Sequence, residues 1–310
     1  MVPLHYPVLF RETIEGLAVS PDGIYVDGTL GRAGHANEIL QRLSPTGRLI
    51  GIDKDSDAIE AARKKFEGDT RVVLVRRDFR EIPSILRELE ISAVDGILLD
   101  LGVSSPQLDE AERGFSYMAD APLDMRMDQS QALDARQIIN EYSGAELRRI
   151  LWDYGEEKYA PRIAARIIAE REKGPIETTL QLVEMIKNAM PAAALREKQH
   201  PAKRTFQAIR IAVNDELGAI SAVLDDAIDC LKPQGRLAVI TFHSLEDRIV
   251  KQAFRKAENP CTCPKSFPVC VCGKTPQVRV LTKRPITPGG IELEENPRSR
   301  SAKLRIVEKR

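Results

Sequence analysis

The sequence predicts a doubly wound α/β sheet interrupted by an all-helical insertion, and three observations lead there. Strand and helix patterns alternate over the first hundred residues, the pattern of a parallel sheet covered on both faces. From about Leu108 to Ala202 the spacing turns helical, with no convincing strand. After Thr205 the alternation resumes. A continuous run of helices cannot belong to a wound sheet. The expected division is therefore 1–107 as the first part of the sheet domain, 108–202 as an inserted helical substrate-recognition subdomain, and 203–310 as the second part.

The elements follow in order. Ile24 to Asp27 is a short apolar run ending in an acid, and a helix pattern runs from His35 towards Leu43. Arg48 to Asp53 is a second strand, with a crossover helix over Asp57 to Phe66. Val72 to Val75 and Val94 to Asp100 are the third and fourth strands. Helical spacing then marks Ala132 to Asn140, Ala145 to Leu151, Ala160 to Arg171 and Leu180 to Met190, with Pro175 and Pro191 as punctuation. Thr205 to Leu231 reads as one long amphipathic helix, closed by Lys232-Pro-Gln-Gly235, whose glycine suits a left-handed turn. Arg236 to Phe242 is a fifth strand, Leu245 to Lys256 a further helix, and Val278 to Leu281 with Lys303 to Val307 a closing strand pair.

Composition narrows the class. The chain has 310 residues, 43% hydrophobic and 30% charged, as expected of a soluble globular protein. No apolar run approaches the roughly 20 residues that span a bilayer, and the N-terminus lacks the basic and apolar regions of a signal peptide. A cytoplasmic location without membrane contact is the expectation; oligomeric state is not legible. Lys plus Arg and Asp plus Glu balance at 46 each, unlike a nonspecific nucleic-acid coat. The balance hides asymmetry: Asp109 to Asp134 carries seven acids against two bases, whereas Val278 to Arg310 carries nine bases against four acids. A polyanion would meet the second kind of surface.

Asp27-Gly-Thr-Leu-Gly-Arg-Ala-Gly-His35 follows the first strand and opens the first wound helix. Its glycines let backbone approach a ligand without a Cβ in the way. Asp53 ends the adjacent strand, where a carboxylate can accept two ribose hydroxyls, and Phe79 after the third strand is placed to stack on adenine. The alternatives are a tight strand-to-helix turn for the glycines and a core position for Phe79. A dinucleotide site is disfavoured, because the loop is not G-x-G-x-x-G and Asp27 would repel a pyrophosphate.

The fourth strand runs into Asp95-Gly-Ile-Leu-Leu-Asp-Leu-Gly-Val-Ser-Ser-Pro-Gln107, a loop at a strand's carboxyl end, where ligands bind in such sheets. Taken alone it is also compatible with a plain polar turn. With Glu112-Arg-Gly-Phe-Ser116, Pro122 to Asp128, Tyr154 to Glu157, His200 to Gln207, Phe242 to Arg248 and Asn296 to Lys303, it closely resembles the bacterial 16S ribosomal RNA cytosine-N4 methyltransferase family over nearly the whole chain. The resemblance implies a Rossmann-like class I methyltransferase sheet, S-adenosyl-L-methionine as cofactor, and 16S ribosomal RNA or the small ribosomal subunit as partner, with a decoding-centre cytidine as target. It also implies cofactor contacts at Ala33, Gly34, His35, Asp53, Phe79, Asp100 and Gln107, several of which coincide with the site read from strand ends. Many family members have glycine where this chain has Ala33. A cofactor-binding ribosome assembly factor without turnover, a methyltransferase on another RNA and a nicotinamide enzyme are the rivals.

The exocyclic N4 of cytosine is a poor nucleophile, so the site must hold the amine in line and accept its hydrogen bonds. The DNA amino-methyltransferase element Asp/Asn-Pro-Pro-aromatic is replaced here by Asp100-Leu-Gly-Val-Ser-Ser-Pro106. Ser104, Ser105, a backbone carbonyl of the same loop and His243 are the acceptor candidates, with a capping role equally open for His243. Lys203 and Arg204, and separately Arg298, Arg300 and Lys303, are candidate phosphate contacts, or else solvated faces. Cys261, Cys263, Cys270 and Cys272 form two C-x-C pairs that suit structural zinc, with reduced thiols as the alternative; Cys230 reads as a small buried side chain.

Overall fold

The computed structural model describes residues 7–264, 267, 269 and 271–310. The chain divides into two compact units, one of residues up to Gly102 together with Leu217–Arg310, the other Val103–Glu216. The segment 108–202 lies within the second. The first unit runs α1 (Phe10–Leu17), β1 (Ile24–Asp27), α2 (Gly34–Arg42), β2 (Arg48–Asp53), α3 (Ser56–Lys65), β3 (Val72–Arg76), α4 (Ile82–Glu88) and β4 (Val94–Asp100). The second holds α5 (Ser105–Asp109), α6 (Ala135–Glu141), α7 (Gly144–Asp153), α8 (Ala160–Arg171), α9 (Thr179–Ala189) and α10 (Lys203–Asn214). The chain then completes the first unit with α11 (Glu216–Asp229), β5 (Leu231–Thr241), α12 (Ser244–Glu258), β6 (Val278–Val280), α13 (Gly290–Glu295) and β7 (Lys303–Lys309).

One seven-stranded sheet has the order β3-β2-β1-β4-β5-β7-β6. Strands β1 to β5 are parallel, and β7 is antiparallel to both β5 and β6. The order reverses between β1 and β4, so their carboxyl ends form the topological switch point where such sheets bind ligands. Both faces are covered, because alternate residues on a strand point to opposite sides. Val26, Ile97, Leu99, Leu237 and Val239 pack with Ile82 and Ile85 of α4, Val223 and Leu224 of α11 and Phe254 of α12. Tyr25, Leu49, Leu98, Ala238 and Ile240 pack on the other side with Ile14 of α1, Ile39 of α2 and Ile59 of α3. The helical unit has its own core, including Ile138, Leu147, Ile163, Leu182 and Phe206. Ser143 and Thr178 start α7 and α9 through capping boxes with Glu146 and Gln181.

Two local expectations fail. The long helix from Thr205 to Leu231 is two helices, broken at Asp215, which is left-handed at φ 49°. The apolar spacing continues across the break, but Asn214 is tied elsewhere: its amide accepts from Met127 N–H and donates to the Met125 carbonyl, both at 2.8 Å. In the 232–235 turn the left-handed residue is Gln234 at φ 67°, not Gly235. Gly235 is needed for space, since a Cβ there would lie 2.9 Å from the Lys232 carbonyl oxygen and 3.0 Å from that of Val94. The short helices α1, α4 and α13 have too few turns for periodicity to reveal them.

Candidate cofactor site

The loop after β1 is shaped by close approaches. A Cβ at Gly28 would sit 2.6 Å from Leu99 Cδ2 and 3.3 Å from Phe79 Cβ, so only glycine fits between the neighbouring strand and the half-buried Phe79. Gly31 is left-handed at φ 48° and donates its N–H to Asp53 Oδ2 at 2.8 Å. Asp53 Oδ1 accepts from Asp55 N–H at 2.9 Å. Each carboxylate oxygen therefore holds one backbone donor and keeps a further lone pair for a ligand hydroxyl. Ala33, fully buried, occupies a left-handed conformation at φ 54° and precedes α2 without any side-chain cap. The first-turn N–H groups of α2 lack a side-chain acceptor and form a seat for an anionic group. Gly34 begins that helix, and a Cβ there would collide with Pro7 Cγ.

Three acids converge at the strand ends. Burial pushes the Asp27 carboxyl up to about 7 against the bond from Thr29 N–H, and nearby Asp53 adds to the rise. Burial likewise holds Asp53 at about 6. Asp100, at the end of β4, lies well above the ordinary carboxyl range through burial first and then the charges of Asp27 and Glu246. Its backbone N–H donates to Thr29 Oγ1 at 2.6 Å, which ties β4 to the glycine loop. Its Oδ1 is buried with no hydrogen-bond partner. Oδ2 lies 3.7 Å from His35 Nδ1. His35 is buried and pushed down to about 4, chiefly by desolvation. Its Nε2 stands 3.2 Å from the Val8 carbonyl, which only accepts, so Nε2 carries the proton and Nδ1 presents a lone pair to Asp100. A cluster of buried acids with one orphaned oxygen fits a ligand that brings positive charge.

The remaining predicted residues are placed as follows. Phe79 opens a 3-10 turn whose N-cap is Asp78. Gln107 is buried in the second unit and shares a capping box with Ser104: its Oε1 accepts Ser104 N–H at 3.0 Å, and its own N–H donates to Ser104 Oγ at 3.5 Å. Ser105 is the first residue of α5. His243 caps α12; its Nδ1 accepts from Glu246 N–H at 3.5 Å, and its Nε2 lies 3.1 Å from Glu246 Oε1. Glu246 is fully buried and its Oε2 accepts from the Phe242 and His243 N–H groups at 2.7 and 3.2 Å. Lys203 is exposed at the start of α10, and Arg204 donates to the Glu156 carbonyl at 3.3 Å. Arg298 and Arg300 are exposed, whereas Lys303 pairs with Asp247 at 3.3 Å. Cys270 lies outside the described residues.

Thr29 and Glu246 were not singled out from the sequence. Glu246 could have been found, since His243 followed three residues later by Glu246 has the spacing of a capping box.

The model of the MraW methylase family matches residues 3–310. The ribosomal RNA small subunit methyltransferase H of Brevibacillus brevis is 56% identical over 306 residues, covering 98% of this chain and 98% of that protein. The protein of the same name from Symbiobacterium thermophilum is 57% identical over 307 residues, covering 98% and 96%. That from Clostridium botulinum strain Kyoto is 56% identical over 305 residues, covering 98% of each. With the family model matched over residues 3–310 and similarity to these proteins running from end to end, the chain belongs to the MraW methylase family.

Proposed function

We propose that the chain transfers a methyl group from S-adenosyl-L-methionine to the exocyclic N4 of a decoding-centre cytidine in 16S ribosomal RNA, and that it works in the cytoplasm on the RNA or the small ribosomal subunit. The observation that carries the cofactor assignment is the orphaned, buried Asp100 Oδ1 among acids whose carboxyls burial raises above the ordinary range. The ammonium and sulfonium groups of such a cofactor supply the missing positive charge. The similarity to the methyltransferase H proteins carries the RNA assignment. Among the described residues no helix is long and apolar enough to cross a membrane.

We assign Asp53 to the ribose hydroxyls, Phe79 to the adenine edge, and Asp100, with Asp27 behind it, to the ammonium group. Ala33, Gly34 and His35 bring the uncapped start of α2 to the cofactor carboxylate. Gln107 joins this set on its match to the family motif. The bound cofactor supplies an electrophilic methyl on an already cationic sulfur. The chain's own task is to orient the amine and accept its hydrogen bonds, so that lone-pair density develops on nitrogen. Of the three side-chain candidates for acceptor, Ser104 and His243 are engaged in helix caps, which favours Ser105 or a backbone carbonyl of residues 101–106. Lys203, Arg204, Arg298 and Arg300 are the proposed phosphate contacts; Lys303, held by Asp247, is the weaker member of the set.

Incubation with labelled S-adenosyl-L-methionine and small subunits, followed by mass-spectrometric mapping of the RNA, should place the label on N4 of one cytidine. Label on another base or another RNA would overturn the substrate assignment. Cofactor binding with no label anywhere would leave an assembly factor instead. Near-wild-type turnover in all of Ser104→Ala, Ser105→Ala and His243→Ala would shift the acceptor to backbone.

A further inference from the structure

The loop joining α12 to β6 spans residues 259–277, and its described residues contain no helix or strand. Loops of this length in a compact domain need something to hold them. Among its described residues apolar packing does not do so: Phe267, Val269 and Val271 are 50%, 70% and 72% exposed. Instead the loop draws three thiols together. The Sγ atoms of Cys261, Cys263 and Cys272 all lie within 4.8 Å of one another. We propose that this loop is a structural zinc site, with the thiolates of Cys261, Cys263 and Cys272 as ligands.

Several features agree with zinc. Tetrahedral zinc with Zn–S bonds of about 2.3 Å keeps its sulfurs about 3.8 Å apart, a separation these thiols reach with small side-chain shifts. Val271 donates its N–H to Cys263 Sγ at 3.3 Å, the kind of outer hydrogen bond that stabilises a ligating thiolate. Gly273, directly after Cys272, is left-handed at φ 66° with open space around it, which lets the chain turn tightly after the last ligand. The loop's ends are already joined by Gln277 N–H donating to the Ala257 carbonyl at 2.9 Å, so the metal has only the loop's interior to organise. Thiolate-only ligation selects zinc over hard cations. On binding, each thiol gives its proton to solvent and its sulfur lone pair to the ion, with no change of oxidation state. The sequence carries one more cysteine nearby, Cys270, outside the described residues.

The test is elemental analysis of the full chain purified without chelators. The expected result is about one zinc per chain, released stoichiometrically when a mercurial titrates the thiols. Cys263→Ser and Cys272→Ser should each lose the zinc and gain protease cleavage within 259–277, while still binding S-adenosyl-L-methionine; Cys230→Ser should keep the metal. Should the serine variants fail to fold, cobalt loading of the wild-type chain gives a second reading, through the intense visible bands of tetrahedral thiolate ligation. Wild-type protein without zinc or cobalt uptake, iron in place of zinc, a disulfide among these cysteines by mass, or zinc retained in both variants would each overturn the proposal.

Discussion

Two groups of acids in the sheet unit are built in opposite ways. Asp247, near the start of α12, meets Arg305 through two hydrogen bonds of 2.6 and 3.2 Å and Lys303 at 3.3 Å. Burial opposes its charge, but these cations prevail and its carboxyl lies below the ordinary range. At Asp27, Asp53 and Asp100 burial is the largest influence and outweighs what opposes it, the Lys54 charge beside Asp53 included, so their carboxyls lie above it. The difference separates an acid that holds the fold from acids that await a charge.

The largest effect should come from breaking the paired acid. Asp247→Ala leaves Arg305, only 6% exposed, as a buried unpaired cation, and should destabilise the protein by about 3–5 kcal/mol. Calorimetry would measure it; a loss under about 1 kcal/mol would erase the contrast. Asp100→Asn should do the reverse, leaving thermal stability unchanged or higher while S-adenosyl-L-methionine affinity falls on the order of 10- to 100-fold, as for a lost hydrogen bond to a charged group. Isothermal titration beside a melting curve checks both halves. A variant that melts lower and binds normally would put Asp100 in the structural group.

Proton linkage sharpens the same comparison. With Asp27 held near 7 and Asp53 near 6, the folded chain keeps protons that the unfolded chain loses above about pH 4. Their contribution to stability is full below that pH and is lost as pH rises through about 6 to 7. His35, lowered to about 4, acts in the other sense: its contribution is present above about pH 6.5 and is lost as pH falls towards 4. A cationic ligand selects ionised carboxylates, so affinity should rise between about pH 5.5 and 8 with release of protons. Titration in buffers of different ionisation enthalpy measures that release, and none at pH 6.5 would contradict it. The smallest effect belongs to Ala33→Gly. Relief of the left-handed alanine, about 1 kcal/mol, is offset by a lost buried methyl of about 0.8 kcal/mol and by glycine's greater freedom when unfolded. Stability should change by less than about 1 kcal/mol, and a melting curve suffices to check it.

The strand-end cluster of the candidate cofactor site was legible because its signals are local. Asp27, Gly28, Gly31 and Gly34 are consecutive features of one strand-loop-helix turn, and Asp53 and Asp100 each close an apolar run whose end is visible in the sequence. The caps were less legible. Ser104 and His243 stand out as reactive side chains in a list of residues, yet each accepts a hydrogen bond at a helix start, and only the backbone path distinguishes the roles. The break at Asp215 was invisible, because what interrupts the helix is Asn214 reaching Met125 and Met127, almost ninety residues earlier.

Apolar runs alternating with helix patterns, glycines without room for a side chain and acids at strand ends determined the wound sheet and the position of its candidate ligand loop, since those preferences act within a few neighbouring residues. Tertiary structure alone decided which acids acquired a cation and which did not. Arg305 comes to Asp247 across 58 positions of sequence, while Asp100 is brought to Asp27 and to a His35 whose positive charge burial disfavours. Charge in a buried site depends on distance through space, and that distance exists only once the chain has folded.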